Sequence, residues 1–314
     1  MNNEQRAMEL IDFNDCPINN RNYGGLSGNK IGVIYQGENY IIKYPGNLRD
    51  RNLKNVVLSY SNSPVCEYIG SHIYELLGYD VHETILGTRR GKTVVACKDF
   101  LKRGETLDEF RIIKSTRDSE DEYEHSSSSS STDAPDLEQI LTIIKKHHVL
   151  KTIPGVSDRF WDMFVVDAFI GNSDRNNGNW GIIRDYDGGV ILAPIFDNGG
   201  CLNSKWDDER MDKLLQNPKE FEQQASKGVV CVFEVNGKKI NPFKYMERNP
   251  DKECVKAIKR NVPLIKSKET DIKVLIDDIP VLTPTQKEFY HKILQTRFEK
   301  ALLPIYNKHK SISR

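Results

Sequence analysis

No stretch of this 314-residue sequence is long and apolar enough to cross a bilayer. Its longest apolar runs, Met163-Phe164-Val165-Val166 among them, fall far short of the ~20 residues a spanning helix needs. The N-terminus, MNNEQRAMELIDFNDC, has no basic segment leading into an apolar core, which argues against an ordinary secretory signal. Net charge is missing too: 45 Lys and Arg balance 45 Asp and Glu. No global field therefore draws the chain to nucleic acid or to an anionic membrane. Six cysteines, at 16, 66, 97, 201, 231 and 254, are too scattered for a C-x-x-C metal or redox motif. Free thiols in a reducing cytoplasm are the expectation, with export without a signal peptide as the alternative location. No repeat recurs at 20–50 residues, which excludes solenoids. What remains is a soluble globular chain with 29% charged residues, long enough for one large domain or two lobes around a cleft.

The first third is rich in strand patterns. Residues 20–30 (NRNYGGLSGNK) form a Gly- and Asn-rich loop. Ile31–Tyr35 and Tyr40–Tyr44 flank the turn Gln36–Asn39 and read as a hairpin, with Lys43 on its second strand ahead of Pro45. Residues 63–78 (SPVCEYIGSHIYELLG) read as a helix: Ser63 suits the N-cap, Pro64 the first turn and Gly78 the stop. A second hairpin is expected from Val81–Leu86 and Lys92–Cys97 around a turn at Gly87–Gly91, completing β-β-α-β-β. Residues 117–136 (RDSEDEYEHSSSSSSTDAPD) then change character, from an acidic cluster to a six-serine tract, and read as a disordered insertion.

From Leu137 helical patterns dominate. Leu137, Ile140, Leu141, Ile144 and Val149 make one stripe, and residues 158–170 (DRFWDMFVVDAFI) suit a core helix. A polar loop, Gly171–Asn179, precedes a short hairpin of Trp180–Ile183 and Val190–Phe196. Helical patterns return near 250–261 and 284–307, the latter opening with Thr283 as N-cap and Pro284 in the first turn.

The chemistry is expected where that polar loop and the hairpin end. Asp174 and Asn179 are five positions apart, and Asp197-Asn198-Gly199 follows one hairpin later. Phosphoryl transfer from ATP asks little covalent chemistry of a protein; it asks for an aligned hydroxyl and charge neutralisation on the phosphates. Protein kinases space their catalytic Asp and metal-binding Asn by five and place a metal-binding Asp in a later D-F-G. A lone D-x-x-x-x-N is ordinarily an Asx turn. It gains meaning from order: Gly-rich loop, strand lysine Lys43, helix glutamate Glu67 (with Glu75 as a rival), hairpin, helices, Asp174 and Asn179, hairpin, Asp197. In that order Asp174 is the candidate base, Asn179 and Asp197 the candidate Mg²⁺ ligands, and Lys43 the ATP lysine. The loop residues Gly24, Gly25, Ser27, Gly28 and Asn29 could cradle phosphates through backbone N–H groups. Lys98 and Phe100 fall where adenine would meet the connection between lobes.

On these residues the chain resembles the HipA-like serine/threonine kinases, and more closely the short CtkA-type bacterial kinases. The segments that carry the resemblance are YGGLSGNKIGVIY, YIIKYP, CEYIGSHIYELLG, TVVACKDF, FWDMFVVDAFIGNSDRNNGNWG and APIFDNGGCL. The resemblance implies an α+β, two-lobed protein-kinase-like fold, with a β-rich N-lobe (20–98) after an N-terminal extension (1–19), and a larger helical C-lobe (99–314). It implies ATP and Mg²⁺ as cofactors, a protein substrate, and autophosphorylation, for which Ser27 is the candidate. HipA is a toxin whose kinase core follows a further N-terminal subdomain; here that subdomain, or an antitoxin, is expected as a separately encoded partner. The family's frequent His two positions after the catalytic Asp is Asn176 here. Two other readings stay open: a kinase of the same fold acting on a small molecule or lipid, and a non-enzymatic pseudokinase.

Overall fold

The computed structural model describes residues 8–23, 30–46, 61–115, 135–248 and 250–311. The Gly-rich loop positions Gly24, Gly25, Ser27, Gly28 and Asn29 lie outside the described residues, as does almost all of the acidic and serine-rich insertion.

A five-stranded sheet forms the N-terminal lobe, in the order β1-β4-β5-β3-β2. Strands β2 (Lys30–Tyr35) and β3 (Glu38–Lys43) are antiparallel around Gln36-Gly37, both left-handed. A two-residue turn of that hand matches the twist of its strands. Strands β4 (Thr84–Arg89) and β5 (Lys92–Lys98) turn the same way at Arg90-Gly91. The expected turn over Gly87–Gly91 therefore contains the true one but begins three residues too early. Gly87 lies inside β4, where β1 (Ile11–Asp12) runs parallel to it. A Cβ at Gly87 would overlap the Ile11 carbonyl and the Phe13 ring, so the glycine serves a close approach. The segment before residue 20 thus joins the lobe's sheet, and Phe13 is fully buried in its small core with Val33, Tyr40, Ile42, Val94 and Ala96.

Helix α1 (Ser63–Leu76) starts one residue earlier than the Ser63 N-cap reading. Asn62 occupies the cap and Ser63 the first helical position, with Pro64 still in the first turn, where its missing N–H costs nothing. One face of α1 (Val65, Ile69, Ile73, Tyr74) enters the larger core of the C-terminal lobe. That helix therefore ties the lobes together. Val81 does not begin the second hairpin. It forms a parallel bridge with Ile195, and the His82 N–H donates to the Ile195 carbonyl at 3.0 Å, tying this segment to the stretch that leads to Asp197.

In the C-terminal lobe β6 (Thr106–Glu109), β7 (Gly181–Arg184) and β8 (Val190–Leu192) form an antiparallel sheet. Among the described residues the rest is mostly helical: α2 (Phe110–Ser115), α3 (Leu137–Lys146), α4 (Val156–Ile170), α5 (Asp208–Leu215), α6 (Pro218–Ser226), a short β9–β10 hairpin (234–239), α7 (Pro242–Arg248), α8 (Lys252–Ser267), α9 (Glu269–Asp277), α10 (Pro284–Arg297) and α11 (Leu303–Ser311). Helix α4 is buried along nearly its whole length, as its apolar sequence requires. Thr283 and Gln286 form a reciprocal cap at the start of α10. The expected continuous helix over 284–307 is instead interrupted by a wide turn at Phe298–Leu302. Pro304 explains it: without an N–H it cannot continue the regular ladder to residue 300, and a widened turn absorbs the mismatch.

Candidate active site

Helix α4 ends where Gly171 turns left-handed (φ 70°). A Cβ there would collide with the Arg297 guanidinium, so only glycine lets the chain leave the helix here. The loop that follows is built from asparagine amides. Asn172 donates to Asp167 Oδ1 (3.0 Å) and accepts from the Asp174 N–H (3.1 Å). Asn176 donates to Asp174 Oδ1 (3.0 Å) and accepts from the Gly178 N–H (2.8 Å). Asn179 donates through Nδ2 to the Asp174 carbonyl at 2.6 Å, which leaves its amide oxygen as the atom available to a cation. Short polar side chains bonding to backbone two residues away are what fix such a loop in one shape.

Arg175, fully buried, is the hub beneath it. Its guanidinium forms a two-pronged pair with Asp167 (Nε to Oδ2, 2.8 Å; Nη2 to Oδ1, 3.1 Å). It also donates to the carbonyls of Asn179 (2.9 Å) and Phe196 (2.6 Å) and to Asn198 Oδ1 (2.5 Å). One side chain thereby sets the spacing between the Asp174–Asn179 loop and the Asp197 segment. Tyr74 of α1 donates to the same Asp167 at 2.9 Å. Gly200 completes the contact: a Cβ there would lie 2.9 Å from Asn172 Oδ1 and from Asp174 Cβ.

From the N-terminal lobe, Lys43 Nζ lies 2.9 Å from Glu67 Oε2 and 2.9 Å from Asp197 Oδ1. Glu67 is buried and Asp197 half-exposed, its side chain 44% accessible, so the acidic group that faces the cleft is Asp197. Glu67 also accepts from the N–H groups of Asn198 (2.8 Å) and Gly199 (3.0 Å), and lies 3.1 Å from His82 Nε2. Its rival Glu75 is exposed and faces His72 instead. Glu67, His82 and Cys97 bring three ligand-type atoms within 4.8 Å. Both Glu67 oxygens are already saturated by protein donors, so this is a hydrogen-bonded cluster that needs no ion.

The charges follow from this packing. Burial pushes the Lys43 ammonium down, but Asp197 and Glu67 outweigh it and hold Lys43 well above its ordinary value. Burial pushes Glu67 up, while Lys43, His82 and the Asn198 N–H pull it well below the usual carboxylate range. Asp174 is raised, chiefly by desolvation and also by the Asp197 charge, with the Asn176 hydrogen bond working against them. One carboxyl raised and another depressed is the pattern of a site that separates a proton acceptor from fixed charge.

Phe100 packs its ring 5.7 Å from that of Phe196, the residue before Asp197. Lys98 faces outward to Glu83 at 3.5 Å, and its N–H donates to the Glu83 carbonyl. Lys43, Glu67 and Asp197 thus meet directly, Arg175 and Gly200 tie the Asp174–Asn179 loop to the segment after Asp197, Phe100 packs on Phe196, and the Lys98 side chain turns to Glu83. Sequence reasoning passed over Arg175, Asp167, His82, Ser71 and Asn198. Asp167 carried a readable signal, as an acid set in an apolar run (MFVVDAFI) that has to find a buried partner. His82 and Ser71 carried none.

No protein-family model matches the chain. It is 36% identical over 299 residues to the serine/threonine-protein kinase CtkA of Helicobacter pylori strain J99, covering 94% of this chain and 87% of that protein. The crystal structure of a Helicobacter pylori proinflammatory kinase CtkA superposes with a TM-score of 0.86 at 34% identity, over 98% of this chain and 99% of that one. HipA in the HipA–HipB–operator DNA complex of Shewanella oneidensis MR-1 superposes at 0.53 with 11% identity, over 93% of this chain and 67% of that one, a likeness of fold alone.

Proposed function

This chain belongs to the CtkA family of serine/threonine-protein kinases, and on that premise we propose how its cleft divides the work of phosphoryl transfer. It is an ATP-dependent kinase that moves the γ-phosphoryl group of ATP to a hydroxyl of a protein substrate. The observation that carries the division of roles is the convergence on one cleft of Lys43, Asp197 and the Asp174–Asn179 loop, from three separate parts of the chain.

Asp174 takes the proton of the attacking hydroxyl. Its raised pKa makes it a better proton acceptor than an ordinary aspartate. Lys43, held between two carboxylates, stays charged and offers its ammonium to the nucleotide phosphates, as the strand lysine of protein kinases does. Glu67 fixes the position of Lys43. Phe100 offers an apolar surface to the base.

The donor set suits Mg²⁺: one half-exposed carboxylate, Asp197, and one amide oxygen, Asn179, both hard ligands that leave room for phosphate oxygens. When bound, the ion neutralises charge on the phosphates. The orientation of both ligands is the work of Arg175 and the asparagine loop.

No specific observation favours a small-molecule or lipid acceptor, or a non-enzymatic module. Among the described residues no helix is long and apolar enough to cross a membrane. Residence in the cytoplasm and a separately encoded antitoxin-like partner belong to the same proposal, and co-purification from the native host tests the partner. The acceptor itself is tested by incubating the protein with a lysate and ATP labelled on its γ-phosphate, followed by phosphoamino-acid analysis. Phosphoserine or phosphothreonine is expected; label confined to small molecules or lipids would overturn it.

A further inference from the structure

The residue after Asp197 is not the phenylalanine of D-F-G but Asn198, and it is fully buried. Every polar atom it has is engaged. Its Nδ2 donates to Ser71 Oγ on α1 at 2.9 Å, and its Oδ1 accepts from Arg175 at 2.5 Å. Its N–H donates to Glu67 Oε1 at 2.8 Å, and its carbonyl accepts from the Cys201 N–H at 3.3 Å. Ser71 Oγ in turn lies 3.1 Å from His82 Nε2, which lies 3.1 Å from Glu67 Oε1. Asn198, Ser71, His82 and Glu67 therefore close a ring of buried hydrogen bonds. Helix α1 reaches this ring because residue 70 is glycine: a Cβ there would stand 2.9 Å from Asn198 Cβ and 3.1 Å from Cys201 Sγ. Just before the ring, Asp197 has φ 60°, a left-handed backbone that persists where its surroundings over-determine it.

We infer that Asn198 is the positioning residue that holds Asp197 toward the metal, by clasping α1 of the small lobe to Arg175 of the large one through its buried amide. This rests on the reading of Asp197 as a metal ligand. In protein kinases the packing of the D-F-G phenylalanine sets active against inactive states. An apolar ring can leave its pocket and rebury elsewhere. A buried amide cannot leave without stranding Ser71 and Arg175, both buried polar groups. The segment thus has one satisfied arrangement, and Asp197 is presented without a switching step.

The test measures nucleotide affinity of the full chain by calorimetry, with and without Mg²⁺, for wild type, Asn198→Leu and Ser71→Ala, alongside thermal melting. Wild type is expected to bind ATP more tightly with Mg²⁺ than without. Asn198→Leu should lose about tenfold of that metal-dependent gain, the scale of losing a residue that orients a ligand, while metal-free ATP affinity stays within about twofold. If Asn198→Leu does not fold, Ser71→Ala removes the Nδ2 partner, together with the Ser71–His82 contact, and should lose about threefold of the same gain. Variants that keep the full gain would overturn the clasp. So would an equal fall in metal-free and metal-bound affinity, which marks a merely structural role. A wild type without any metal gain would instead sink the reading of Asp197 as ligand, and the clasp with it.

Discussion

Lys43 and Asp197 are 154 positions apart in the chain, yet Lys43 Nζ sits 2.9 Å from Asp197 Oδ1 while holding Glu67 at the same distance. One ammonium thus joins a strand of the small lobe, the helix that ties the lobes, and the segment leading out of the large lobe's sheet. A surface ion pair would contribute little. Here Glu67 is 2% exposed and accepts from two backbone N–H groups as well, so the arrangement is costly to break.

Removing Glu67 should therefore cost stability as well as activity. For Glu67→Ala the expected loss is about 3–5 kcal/mol, the range for breaking one partner out of a buried pair. The KM for ATP should rise because Lys43 loses its anchor. Urea denaturation and steady-state kinetics check both. Glu75→Ala, at the exposed rival on the same helix, should change neither.

The pH profile should report Asp174. Its folded pKa lies above the ordinary 3.8, and the active form is the carboxylate, so kcat/KM should fall as pH drops through that raised value. The Asn176 hydrogen bond favours the charged form. Asn176→Ala should raise the Asp174 pKa further and move the acid limb to higher pH. A limb that moves to lower pH would contradict the assignment.

Arg175→Lys should be far from conservative. Lysine cannot reproduce a two-pronged bond to Asp167 together with bonds to Asn179, Phe196 and Asn198. A loss of about 3 kcal/mol or more is expected, since the Asp167 carboxylate and two carbonyls are left buried and under-satisfied. Thermal melting of Arg175→Lys against Asp167→Asn checks it, and both variants should lose kcat.

Much of this was legible in the sequence, for reasons that can be named. The hairpin with Lys43, the Glu67 helix and the buried helix before Asp174 follow from periodicity. The five-residue spacing of Asp174 and Asn179 is a property of sequence alone. The turn read over Gly87–Gly91 contains the true one at Arg90-Gly91 but starts too early, because Gly87 looks like a turn residue while its reason is the close passage of β1, a long-range contact no local pattern records. The break at residues 298–302 could have been read from Pro304. The ring of Asn198, Ser71, His82 and Glu67 could not, since it joins residues up to 131 positions apart whose types are ordinary for loops and helix surfaces.

On the proposed division of roles Asp174 serves as the base of a protein kinase. The most direct test of that role is label transfer from ATP radiolabelled on the γ-phosphate to a generic protein substrate, comparing wild type with Asp174→Asn at matched thermal stability. Wild type should give phosphoserine or phosphothreonine, and the variant a rate lower by about 10²–10⁴. Undiminished transfer by Asp174→Asn would contradict it.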